Sequence, residues 1–424
     1  MAKDRLEIAL DRLDGLINWE QRDRSAGMDR SLDPIVDVLK RVGAPHQLFS
    51  GVLVAGTKGK GSVCALIGAA LSGADLSVGI YASPHVERVT ERVRIDGAEV
   101  SRDGLAGALE QVLGAREAAQ AENAPGGKAT WFDLMTAAAY FLFAEAEVDW
   151  AIVEVGIGGR LDSTRSLEAP VAVVTNVALE HTAVLGDTRV AIAGEKGAVI
   201  SKGGTLVTGI DPDEDPEVWE VLEALAQSAD GRLVSVPQRG DFEQRNRTIA
   251  EAVLNEMGRI GAVSGSGERI WRSFLDAAAV ASARLPGRAE RFVIEGVNVV
   301  LDCGHTAESA ELLLQELERD PDLGRKPKLI IALGQEKDAP RLLKAFVGHV
   351  DRCLCTTAPE GRLHTSNDLA ELAFQAGHDP EDWEDPEGAL WEVLGDAKGN
   401  GGWVLIFGSF YLASVLRASL AREC

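Results

Sequence analysis

Cysteine, positive charge and long hydrophobic runs are all scarce in this chain, and each scarcity excludes something. Five cysteines among 424 residues are too few and too scattered to form a disulfide framework. Cys353 and Cys355 make a lone Cys-x-Cys in an apolar run, which reads as a pair of strand residues rather than a metal site. Lysine and arginine number 43 against 66 acidic residues, a formal charge of -23. That balance favours solubility and argues against general affinity for nucleic acid or an anionic membrane. An anionic ligand would have to be met by a local cluster of basic side chains, so the places where lysine and arginine gather carry information. No apolar run approaches the ~20 residues of a membrane span. Residues 1–20 are amphipathic and rich in acids, unlike a secretory signal or a transit peptide, and the expected location is the cytoplasm.

The chain exceeds what one hydrophobic core usually supports, so two domains are expected, or three. An apolar fraction of 46% is ordinary for a globular protein. No internal repeat is visible. Short β-branched runs alternate with Ala- and Leu-rich stretches of helical period. The runs include residues 51–55, 77–81, 151–155 and 171–175, and later 297–302, 328–333, 352–356 and 403–407. Strands that are apolar throughout belong in a parallel sheet covered on both faces. The fold class is therefore α/β. The turn-prone Arg284-Leu285-Pro286-Gly287-Arg288 puts a boundary near residue 286, with a larger domain over 1–286 and a smaller one over 287–424. The acidic, Pro-containing stretches 211–216 and 379–382 read as solvated loops.

The strongest local signal is Gly56-Thr57-Lys58-Gly59-Lys60-Gly61-Ser62, which follows an apolar strand and opens a helix running to about Leu71. Glycines let the backbone wrap a phosphate with its N–H groups, the helix N-terminus adds partial positive charge, and the lysine meets the outer phosphates. The terminal hydroxyl suits Mg²⁺ or a phosphate oxygen. The spacing departs from G-x-x-x-x-G-K-[ST], because position 54 is Val. The competing reading is a Gly-rich surface turn.

Three further stretches fall where strands of the first domain end, the side of an open α/β sheet where ligands gather. They are Ser83-Pro84-His85, Glu154 to Asp162, and Glu180-His181-Thr182. Glu154 sits in an otherwise apolar strand, where a carboxylate is costly unless it meets a cation. The glycines after it would let a bulky ligand approach. Taken singly, each has an ordinary explanation: a hydrogen-bonded histidine, or a Glu154–Arg160 ion pair. Together with the phosphate loop they point to a metal–phosphate site.

These residues resemble the folylpolyglutamate synthase/dihydrofolate synthase family of the Mur ligase superfamily. The similarity lies in Gly56–Ser62, Ser83-Pro84-His85 with residues 90–97, Glu154–Asp162, and His181-Thr182 through 185–188 to Gly194-Glu195-Lys196. It continues in Leu285-Pro286-Gly287-Arg288-Ala289-Glu290, Asp302-Cys303-Gly304-His305 and Gly408–Leu412, so it spans nearly the whole chain in the family's order. The resemblance implies a P-loop parallel-sheet ATPase domain followed by a smaller Rossmann-like domain. It implies an ATP-dependent ligase that activates a carboxylate as an acyl phosphate and joins it to an amine. The substrates would be ATP, glutamate, and a folate, dihydropteroate or both, with no nucleic acid or membrane partner, and the protein would act as a monomer.

The resemblance also implies residue roles. Lys60 and Ser62 hold ATP phosphates within the Gly56–Ser62 loop. Ser62, Ser83 and Glu154 serve one Mg²⁺ or Mn²⁺, and His181 with a carbamylated Lys196 serves a second. Asn246 is a weaker match to an adenine contact. Arg288 stabilises the transferring phosphoryl group, and Asp302 and His305 position the nucleotide or the amine. The sequence departs from the family at Lys58 for Asn, Glu180 for Asp, Asp133 for Glu, and Thr306 for Asn. Two other readings stay open: a paralogue with a different carboxylate acceptor, and a nucleotide-binding regulator that has lost ligation.

Overall fold

The computed structural model describes residues 3–18, 31–236, 238–283, 285–323 and 326–423. Arg284 of the junction, and residues 1–2 and 19–20 of the amphipathic N-terminal stretch, lie outside them. The chain forms two compact units, Met1–Pro84 with Thr90–Ala283, and His85–Val89 with Arg284–Cys424. Five residues that precede the boundary expected near residue 286, His85–Val89, fall in the second unit.

Among the described residues the first unit holds eight strands: β1 (Ser50–Ala55), β2 (Val78–Tyr81), β3 (Val93–Ile95), β4 (Ala98–Glu99), β5 (Trp150–Glu154), β6 (Val171–Val174), β7 (Thr205–Thr208) and β8 (Arg232–Ser235). Their order is β4-β3-β2-β5-β1-β6-β7-β8. From β2 to β8 every pairing is parallel, while β2–β3 and β3–β4 are antiparallel. β1 and β5 are buried from Gly51 and Trp150 onward, which is why they read as unbroken apolar runs. The helix Lys60–Ser72 that follows β1 is apolar almost all round and buries Val63, Cys64, Leu66, Ile67 and Leu71. It packs in one core with Ile249, Val253, Leu254 and Met257 of the helix Phe242–Arg259. Each such side chain taken from water contributes about 1.5–3 kcal/mol before entropy is counted.

The second unit holds β9 (Glu290–Ile294), β10 (Val297–Asp302), β11 (Lys328–Ile331), β12 (Arg352–Cys355), β13 (Pro380–Asp382) and β14 (Val404–Phe407), in the order β13-β12-β11-β14-β10-β9. All pairings are parallel except β9–β10. Successive residues point to opposite faces. Ile330, Leu354 and Ile406 enter one core, and Leu329, Ile331, Cys353, Cys355, Leu405 and Phe407 the other. Cys353 and Cys355 are thus buried strand residues, both free thiols. One sequence reading is corrected: residues 380–382, taken as a solvated loop, form the edge strand β13. Pro380 can open an edge strand because no partner needs its missing N–H, and Glu381 pairs with Arg352 of β12 at 2.7 Å. Residues 211–215 do form a turn, and Pro216 begins a helix. No helix among the described residues is long and apolar enough to cross a membrane.

Candidate functional site

The centre of the first sheet is its topological switch point, since the chain leaves β1 toward β2 on one side and later returns to β6 on the other. The segments after β5, β1 and β6 therefore emerge side by side at the carboxyl edge, where α/β sheets bind ligands. The Gly56–Ser62 loop is held there by its neighbour after β6. The N–H of Thr57 donates to the carbonyl of Asn176 at 3.1 Å, and that of Lys58 to Asn176 Oδ1 at 2.9 Å. The carbonyl of Lys58 accepts from Thr175 Oγ1 at 2.6 Å and from Asn176 Nδ2 at 3.0 Å. Thr175 and Asn176 carry no motif of their own, so sequence reasoning missed them.

Two glycines are required by this packing. Gly56 has φ 140°, and a Cβ on it would lie 1.9 Å from Thr175 Oγ1. Gly59 has φ 81° and caps the helix Lys60–Ser72, and its Cβ would lie 2.3 Å from Asn246 Oδ1. Asn246 is buried and lies against the loop. The glycines after Glu154 are a correction. A Cβ on Gly156 would strike the Phe132 ring at 2.7 Å, and one on Gly159 the carbonyl of Glu195 at 2.8 Å. Gly156 and Gly159 thus serve close protein packing.

Lys60 donates to the carbonyl of Gly56 at 3.2 Å and lies 4.0 Å from Glu154 Oε1. Glu154 is buried, and its other oxygen accepts from the backbone N–H of Ser83 at 3.2 Å. Arg160, the alternative partner of Glu154, instead pairs with Glu195. The costly carboxylate in the apolar strand thus faces the loop lysine and the Ser83 segment. His181 is exposed and adopts φ 47°, a strained conformation for a non-glycine residue, at the start of the helix Thr182–Leu185.

Lys196 is not the exposed helix lysine that an ordinary reading would make it. It is 2% exposed near the end of the helix Arg189–Gly197. Its Nζ donates to the carbonyl of Gly56 at 2.9 Å and to Glu180 Oε1 at 2.6 Å. Burial lowers its pKa from 10.5 to about 8, against the opposing pull of Glu180. Burial pushes the Glu180 carboxyl up, but Lys196, Lys60 and His181 outweigh it and hold the group below its ordinary range. Glu180 was legible as part of a strand-end stretch and as a departure from a family pattern, but its pairing with Lys196 required the fold.

Among the described residues no three His, Cys, Asp or Glu side chains converge as a metal site. Of the residues expected to bind a cation, Ser83 meets the buried carboxylate of Glu154 through its backbone N–H, and Ser62 lies in the first turn of the helix Lys60–Ser72. Hydroxyl and carboxylate oxygens suit a hard divalent ion.

In the second unit, Asp302 ends β10 and accepts from the N–H groups of Ala289 at 2.8 Å and Gly304 at 2.6 Å. His305 Nδ1 lies 3.1 Å from the carbonyl of Cys303. Arg288 is exposed, with its guanidinium 5.1 Å from the centroid of the Phe410 ring. The same ring lies 6.5 Å from that of His305. Phe410, to which the sequence reading gave no role, is thus the platform that brings Arg288 and His305 together. Thr306 caps the helix Ala307–Leu317.

Residues 287–410 match the family model for the Mur ligase glutamate ligase domain. The chain is 30% identical over 417 residues to the dihydrofolate synthase/folylpolyglutamate synthase of Escherichia coli (strain K12), covering 94% of this chain and 93% of that one. It is 29% identical to the folylpolyglutamate synthase of Lacticaseibacillus casei, covering 91% and 93%. Among solved structures it is similar to Mycobacterium tuberculosis folylpolyglutamate synthase complexed with ADP and AMPPCP, with a TM-score of 0.84, 24% identity and 99% of each chain covered. It is also similar to E. coli FolC in complex with DHPP and ADP, with a TM-score of 0.79, 27% identity and full coverage of both chains. A bifunctional folylpolyglutamate synthase/dihydrofolate synthase with Mn, AMPPNP and L-glutamate bound has a TM-score of 0.78 at 26% identity, covering 99% and 98%.

Proposed function

The chain belongs to the folylpolyglutamate synthase/dihydrofolate synthase family of ATP-dependent ligases, and from that membership we propose how its own residues join L-glutamate to a folate, to dihydropteroate, or to both. An oxygen of the acceptor's carboxylate attacks the γ-phosphorus of ATP, ADP leaves, and an acyl phosphate remains. The glutamate amine then attacks the acyl carbon, phosphate leaves, and the amine loses a proton as the amide forms. No covalent intermediate on the protein is required.

The observation that carries this reading is the convergence of Lys60, Glu154 and Lys196 on the Gly56 loop at the switch point. Lys60 and Ser62 hold the phosphates, the backbone of Gly56–Ser62 wraps them, and Asn246 flanks the nucleotide. Ser62, Ser83 and Glu154 would hold one Mg²⁺ or Mn²⁺, and His181 with Lys196 in carbamate form would hold a second. When bound, such ions would neutralise charge as two anions meet. A buried lysine with a pKa lowered to about 8 keeps part of its amine neutral, the form that adds carbon dioxide. Glu180 orients that amine. From the second unit, Arg288 stabilises the transferring phosphoryl group, while Asp302 and His305 set the nucleotide or the incoming amine.

Retention of Lys60, Ser62, Glu154, His181 and Lys196 favours a working ligase over a regulator that has lost ligation. Release of ADP and phosphate that depends on both glutamate and the acceptor tests the assignment. Tight ATP binding without release would identify a regulator, and turnover with another acceptor a paralogue.

A further inference from the structure

We propose that Arg417 is a positioning residue for ligation, acting through Glu87 and Glu290 on the two chain segments that carry Ser83 and Arg288. The inference rests on the ligase reading above. Arg417 lies in the helix Phe410–Glu423, with its side chain 17% exposed. Its Nη1 donates to Glu87 Oε2, and its Nε lies 2.9 Å from Glu290 Oε2. Both carboxylates are largely buried, at 19% and 20% exposure. A planar guanidinium can face two carboxylates at once, which a lysine ammonium does less well.

Each carboxylate holds a functional segment. Glu290 Oε2 also accepts the backbone N–H of Gly287 at 2.8 Å, closing the turn that presents Arg288. Gly287 sits at φ 64° with its carbonyl bonded to the N–H of Cys303, so the turn is tied to the Asp302–His305 segment as well. Glu87 belongs to His85–Val89, the five residues that leave the first unit and join the second. Val86, next to it, is buried in the second unit's core. Ser83, whose N–H meets Glu154, stands four residues before Glu87 in the chain. The same helix begins at Phe410, seven residues before Arg417, and supplies the ring under Arg288. One helix thus fixes the Arg288 turn at two points and grips the excursion that follows Ser83.

The opposing explanation is a staple that only stabilises the second unit. Full-length protein carrying Arg417→Met, Glu87→Gln, both together, or Arg417→Lys separates the two. The readouts are kcat and KM for glutamate, the Kd for ADP, the melting temperature, and amide exchange in peptides covering residues 84–92 and 285–290. Arg417→Met is expected to lower kcat at least about tenfold, the scale of a small misplacement of reacting groups. ADP affinity should stay within about twofold and exchange should quicken in both peptides. Glu87→Gln should add little to Arg417→Met, and Arg417→Lys should recover only part of the rate. A lower melting temperature with kcat within about twofold of wild type, additive effects of Arg417→Met and Glu87→Gln, or unchanged exchange in either peptide would overturn the proposal. A wild-type protein without glutamate-dependent turnover would instead defeat the ligase reading, and amide exchange would still decide whether Arg417 orders the two segments.

Discussion

Lys60 is half-buried, bonded to a backbone carbonyl and 4.0 Å from Glu154, so it supports no core. Lys60→Ala should reduce turnover by at least about 10²-fold, as loss of an electrostatic contact to a transferring group does. Its melting temperature should stay within a few degrees of wild type, because the substitution opens no core cavity. Activity assays beside thermal melts check both, and normal ligation by the folded variant would remove the lysine from the phosphate site. Glu154→Gln and His181→Ala should each raise the Mg²⁺ concentration needed for half-maximal rate, whereas unchanged metal titrations would exclude both as ligands. Lys196 makes a prediction of sign. In the unmodified folded protein it is largely charged below pH about 8 and neutral above, while the unfolded chain keeps it charged to about 10.5. The unfolded state therefore binds more protons across that window, and this residue's contribution to stability rises with pH there. The neutral amine needed for carbamate formation grows over the same range, so the rate at limiting bicarbonate should climb through pH 8. Lys196→Ala should be nearly inactive and regain part of its rate with acetate or formate. Rescue by an amine alone would instead make Lys196 a cation acting on phosphate.

At the scale of elements, the phosphate loop between β1 and its helix is fastened by Thr175 and Asn176, with Asn246 packed against Gly59. Gly56→Ala places a methyl group 1.9 Å from Thr175 Oγ1 at a φ that alanine avoids. It should cost about 1–3 kcal/mol of stability and weaken ADP binding, measured by urea unfolding and calorimetry. Unchanged ADP affinity would mean that the loop does not hold the nucleotide. The elements that were legible in advance are those whose burial is uniform. β1, β5, β6, β11 and β14 are enclosed on both faces and read as apolar runs. The loop was legible because its chemistry demands glycines, a lysine and a hydroxyl in close order. β13 was not, since an edge strand of Pro, Glu and Asp is set by pairing with β12 rather than by its own composition. Gly156 and Gly159 misled for a related reason: the sequence marks where a side chain is excluded, and only packing reveals whether Phe132, a carbonyl or a ligand takes the space.

On the scale of the whole molecule, local runs indicated two α/β units, yet the excursion of residues 85–89 carries no local signal. Its membership is decided by Val86 in a distant core and by the reach of Arg417 to Glu87, contacts hundreds of residues apart in sequence. Lys196 is the same case in the site, since it is buried against Gly56, 140 residues away in the chain. The acidic charge of -23 was legible as a background against which the loop's two lysines stand out. The central claim is that the acceptor's carboxylate is phosphorylated by ATP before glutamate attacks. Its most direct test is to label the acceptor's carboxylate with ¹⁸O, add ATP, Mg²⁺ and glutamate with a reduced folate or dihydropteroate, and analyse the products by mass spectrometry. The account predicts one glutamyl residue added per ADP released, with one ¹⁸O carried into the inorganic phosphate; product formed without ADP release, or phosphate free of label, would contradict it.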